Sequence, residues 1–134
     1  MTEDEPVHPA DAGPRPAAYA LAGTLSLQGP WSETELRAAV DGFLSELTRT
    51  LQEAGCVLIG HIKGILEAGG KGHLFFSVTS FEEKARYKGR LTGNFAKVDL
   101  SLNVIVYGVG SEGIEQLVLA GLRKHLGEVL HDSK

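Results

Sequence analysis

The chain has 134 residues, 43% of them apolar, with a formal net charge of −4 and one cysteine. That length and apolar share describe one folded domain with one core and exclude a disordered chain. The lone thiol excludes an intramolecular disulfide and fits a reducing cytoplasm; the acidic balance argues against general nucleic-acid binding.

Residues 1–17 carry Glu3, Asp4, Glu5 and Asp11 against Arg15, and four of the five prolines. Such a stretch buries too little apolar surface to offset its ordering entropy, so a disordered tail is expected over 1–17 and one α+β domain over 18–134. The N-terminus lacks the basic flank and apolar stretch of a signal peptide. No apolar run approaches the roughly 18 residues of a membrane span.

Tyr19 to Leu27 alternates, with Tyr19, Leu21, Gly23, Leu25 and Leu27 on one side, and predicts a first strand that Gly29-Pro30 stops. Ser32 and Glu35 stand at capping-box spacing. Trp31 and Leu36 flank them at hydrophobic-staple spacing. Leu36, Val40, Phe43, Leu44, Leu47 and Leu51 recur at three and four, predicting a helix over about 33–54 that Gly55 ends in the left-handed conformation. Cys56 to Glu67 reads as a second strand with Leu58, Ile62 and Leu66 inward; Cys56 itself reads as packing rather than a nucleophile. Residues 68–72 are a hairpin turn, and His73 to Phe81 a third strand with Leu74, Phe76 and Val78 inward. Residues 82–94 are a polar connection, in part extended. Lys97 to Tyr107 alternates over eleven residues, with Val98, Leu100, Leu102, Val104 and Val106 on one side: a long strand with one buried face. Ile114, Leu117, Val118, Leu122 and His125 mark a last helix over 112–126, with Ser111 as N-cap.

The order β-α-β-β-β-α predicts a two-layer sandwich: a mixed, mostly antiparallel four-stranded sheet with two helices on one face. Function must then lie on the open face. A turn centred near Gly70 pairs 67 with 73, 65 with 75, 63 with 77 and 61 with 79. His61, Lys63, Ile65, Phe75, Asn103, Ile105 and Tyr107 fall on that face, and Ile59 is assigned to it too. Apolar groups there are too many for a fully wet surface.

Three function classes follow. The first is a non-catalytic cytoplasmic module that binds a protein partner or a second copy of itself through the open face. The second is a small enzyme using His61, Lys63 and Asp99 for acid–base work. The third is polyanion binding through Lys84, Arg86, Lys88 and Arg90, which share one face if extended, with Tyr87 and Leu91 opposite. Residues 61–97 hold seven Lys and Arg against three acids, but the same cations also protect a sheet edge. No metal site is expected, because the hairpin register sets His61 and His73 about 20 Å apart at about 3.3 Å per residue. No cofactor is expected either. Gly108-Val109-Gly110-Ser111-Glu112-Gly113 matches GxGxxG, but the further strand and acidic residue of a dinucleotide fold are not foreseen after it. Gly69-Gly70-Lys71-Gly72 lacks the phosphate-loop pattern.

Gly60-His61-Ile62-Lys63-Gly64, Leu74 to Ser80 and Leu102 to Gly108 together resemble the small α+β domains that accompany CobW-type GTPases. The resemblance covers roughly half the chain and contains no phosphate loop. It implies an accessory or partner-binding module linked to metal or cobalamin handling; GTP hydrolysis is not implied.

Overall fold

The computed structural model describes residues 15–132. Strand β1 runs from Pro16 to Trp31, helix α1 from Glu33 to Glu53, β2 from Leu58 to Glu67 and β3 from Gly72 to Val78. Strand β4 spans Arg86–Leu91, β5 Phe95–Tyr107, helix α2 Ser111–His125 and β6 Gly127–Asp132. Most of the tail expected over 1–17 lies outside the described residues, but Pro16 and Ala17 already belong to β1.

The strands form one six-stranded sheet in the order β4-β3-β2-β5-β1-β6. Every bonded pair is antiparallel. The expected mixed sheet of four strands is corrected on both counts. β1 and β2 run parallel, as a strand–helix–strand crossover requires, but β5 sits between them. β5 and β6 likewise flank β1. Two split β-α-β units therefore interleave, the ferredoxin-like arrangement, and the β3–β4 hairpin extends one edge of the sheet.

Burial follows the period of two. Leu21 and Leu25 of β1, Leu74 and Phe76 of β3, and Val98 to Val106 at alternate positions of β5 join the α1 stripe, Leu36 to Leu51, in a single core. Ile114, Val118 and Leu122 of α2 complete it. Leu126, Cys56 and Phe95 close its margins.

The two helices start differently. The Glu35 N–H donates to Ser32 Oγ at 3.4 Å and the Ser32 N–H to Glu35 Oε1 at 3.0 Å, a complete capping box. Gly55, at φ +111°, follows the C-cap as the periodicity predicts. Gly110, not Ser111, caps α2, with no side-chain bond. The two helices are joined by Glu46, which takes Lys124 Nζ at 3.0 Å and His125 Nε2 at 2.7 Å.

The main departure from strict alternation is in β2. Leu58 pairs with Tyr107 and Ile59 with Val106, but His61 pairs with Ile105, so Gly60 is an extra residue. This bulge switches the faces of the first two residues. Ile59, expected outside, is buried at 3% exposure, and Leu58, expected inside, is 54% exposed. Further along, Gly64 pairs with Phe76, and a Cβ on Gly64 would stand 2.2 Å from Phe76 Cζ. The ring covers the glycine and fills the gap its missing side chain would leave.

Two substitutions test this packing. Ser32→Ala should lower unfolding free energy by about 1 kcal/mol through loss of the cap; an unchanged urea midpoint would contradict it. Gly64→Ala should cost roughly 1–3 kcal/mol, because the Phe76 ring must leave its position.

Candidate functional site

The face of the sheet away from the core carries all seven residues expected to bind there. Cross-strand register arranges them in rows. One row reads Arg86, Ser77, Lys63, Asn103; the next Lys88, Phe75, Ile65, Ser101; the third Arg90, His73, Glu67, Asp99. His61 faces Ile105, and Tyr107 lies between Leu58 and Pro16. The hairpin register is the expected one: 67 with 73, 65 with 75 and 63 with 77.

Phe75 is 44% exposed, and its ring meets that of His73 edge-on at 5.1 Å. Ile65, Ile105 and Tyr107 are half-buried by their neighbours. Beside Phe75 the surface sinks into a depression of about 420 Å³ lined by Lys63, Phe75, Ser77, Arg86 and Lys88, together with Gly64, Phe76 and Tyr87. Among the described residues, Lys63, Arg86, Lys88 and Arg90 form no ion pair.

Lys84 departs from the other cations. It precedes β4, in the segment between β3 and β4, and lines a separate cleft of about 420 Å³ with Asp41, Ser45, Thr48, Ser80 and Tyr87. Only Arg86, Lys88 and Arg90 share the strand and its outward face. Tyr87 and Leu91 point inward, as the spacing predicts.

β4 is an edge strand, and one side of α1 holds it. Glu33 Oε1 accepts the Leu91 N–H at 2.7 Å, and Glu33 Oε2 accepts Arg37 Nη1 at 3.3 Å. The Arg37 guanidinium lies 4.7 Å from the Tyr87 ring centre. The Tyr87 hydroxyl donates to Asp41 Oδ1. Residues 33, 37 and 41 stand at i, i+4 and i+8, one stripe of the helix. They clasp the inward residues of β4, which fixes Arg86, Lys88 and Arg90 outward. The Leu91 N–H holds the Glu33 carboxyl below its ordinary range, aided by Arg37. Burial and the Asp41 carboxylate hold the Tyr87 proton on.

The acid–base trio does not converge. Lys63 faces Asn103, four residues along β5 from Asp99, or about 13 Å at about 3.3 Å per residue. Asp99 Oδ1 accepts the Thr24 hydroxyl at 2.9 Å. Among the described residues no group of three or more His, Cys, Asp and Glu could hold a metal ion, and no helix is long and apolar enough to cross a membrane. The glycine-rich turn at 108–113 does lead through α2 into a further strand, β6, which the sequence reading did not foresee. That strand lies beside β1 rather than beside β5, so the adjacent parallel pair of a dinucleotide fold is missing there.

No protein-family model matches the chain, and no curated protein matches it. Two solved structures do. One is the Zn(II)-bound YjiA GTPase from E. coli, at 19% identity and a TM-score of 0.42, covering 79% of this chain and 30% of that one. The other is a Zn(II)-bound triple mutant of the YjiA GTPase, at 15% identity and a TM-score of 0.44, covering 81% and 29%. YjiA is a CobW-type GTPase. The chain spans about three tenths of the length of each.

Glu33 supplies a pH test. Its proton affinity is lower folded than unfolded, so as pH falls the unfolded chain takes the proton first. The stabilisation is present above the ordinary carboxylate range and is lost as pH drops through the folded value. Glu33→Gln removes it. Between roughly pH 5 and 3 the variant should lose stability less steeply than wild type; parallel urea midpoints across that window would contradict the clasp.

Proposed function

We propose that the chain is a non-catalytic module that binds a protein, another chain or a second copy of itself, through the outer face of its sheet. The observation that carries this reading is Phe75: an aromatic ring 44% exposed on a strand, beside Ile65 and within a rim of Lys63, Lys88 and His73. A centre of large apolar groups inside a polar rim is what a desolvated interface needs. Leu58 and Tyr107 extend the apolar surface along the sheet. An accessory role agrees with the resemblance to domains that accompany CobW-type GTPases, and a link to metal or cobalamin handling belongs to the same reading. The divergence of His61, Lys63 and Asp99 disfavours the enzyme alternative.

Phe75→Glu places a charge in the centre of the face without entering the core. It should abolish association while circular dichroism stays native. Light scattering on wild type and variant, with pull-down against the proteins of the source cell, reads this out. A wild type that stays monomeric at high concentration and recovers no partner would contradict the reading, as would a variant that associates like wild type.

A further inference from the structure

The depression beside Phe75 says what kind of partner fits. Lys63 and Arg86 flank Ser77 in one row, so their Cα atoms are about 10 Å apart, two strand spacings. That distance lets two long side chains close on one carboxylate above the Ser77 hydroxyl. The next row places Lys88 beside Phe75, and the row after it places Arg90 beside His73. Rows are two residues apart, about 6.6 Å, which is also the spacing of alternate side chains in an extended peptide. Along β3 the surface therefore alternates: a cationic row, an aromatic floor with one cation, a cationic edge. These cations form no ion pair among the described residues, although the chain as a whole is acidic.

Resting on the partner-binding reading above, we infer that the occupant is an acidic peptide segment of another protein, with acidic, apolar and acidic side chains at alternate positions. A second copy fits less well. A two-fold axis along the Phe75 row sets Lys88 against its own counterpart and Arg86 against Arg90 of the other copy, like-charge contacts that outnumber the one opposite-charge match it makes, Lys63 with Glu67. A nucleic-acid strand fits less well too, because Glu67 and Asp99 close the third row toward the sheet centre and repel a phosphate chain that crosses it.

The test uses the full chain and fluorescein-labelled peptides carrying Glu-Ser-Phe-Ser-Glu, its amide form Gln-Ser-Phe-Ser-Gln, and Glu-Ser-Ser-Ser-Glu, read by anisotropy. The acidic aromatic peptide should bind. Both altered peptides should bind at least tenfold more weakly, as should the acidic one to the double variant Arg86→Gln/Lys88→Gln, whose exposed positions leave the fold intact by circular dichroism. Equal binding of acidic and amide peptides would overturn the inference and leave the partner-binding reading standing. No binding of any peptide at millimolar concentration would overturn it as well, while the Phe75→Glu association experiment judges the wider reading independently. Tighter binding of heparin or a fifteen-nucleotide single strand, lost in the same double variant, would make the patch a polyanion site and overturn the peptide assignment.

Discussion

Strand β5 is the constraint on which the rest of the structure depends. It pairs with β1 on one side and β2 on the other, and its inward residues, Val98, Leu100, Leu102, Val104 and Val106, are all buried. A strand bonded on both edges can satisfy its backbone only inside a sheet. Its aliphatic column gives the two helices a surface to cover, and its other column is left to solvent. Asp99, Ser101 and Asn103 make that second column hydrated at one end; Ile105 and Tyr107 make it apolar at the other. The division of the sheet into a core face and an open face follows from this one strand.

The open face is held from behind. Glu33, Arg37 and Asp41 reach from α1 to the inward side of β4 and fix an edge strand whose outward residues are all cationic. Edge strands with exposed amides recruit other strands, and basic side chains suppress that. Here the same cations stand beside the Phe75 ring, so edge protection and the proposed partner selection fall on one set of residues. On that reading α1 couples stability to recognition, because its stripe holds the strand that carries the cations.

The period-two and period-3.6 patterns were legible in the long elements, although β1 runs on through Gly29-Pro30, its expected stop, to Trp31. The first helix, its capping box, its glycine stop, β5 and the β2–β3 hairpin register all follow from spacing alone. What was not legible depends on tertiary pairing. β6 is short, its sequence Glu128-Val129-Leu130 has no period to speak of, and it forms because β1 offers an edge. β4 reads as a polar connection because its inward side consists of Tyr87, Gly89 and Leu91, too few apolar residues to mark a strand. The exchange of Leu58 and Ile59 comes from the bulge at Gly60, and a lone glycine inside a strand pattern is the signal that could have found it. The candidate face was legible as a set of residues. The depression in it was not, because it requires β4 to stand beside β3.

Hydroxyl-radical footprinting of the chain in extract of its source cell, against the chain in buffer, reads whether the outer sheet face is covered by a partner. One protected patch is expected, comprising Phe75, Ile65 and Tyr107, with the solvent-facing residues of α1 and α2 labelled equally in both. Protection confined to the helices, or none on the sheet face, would contradict it.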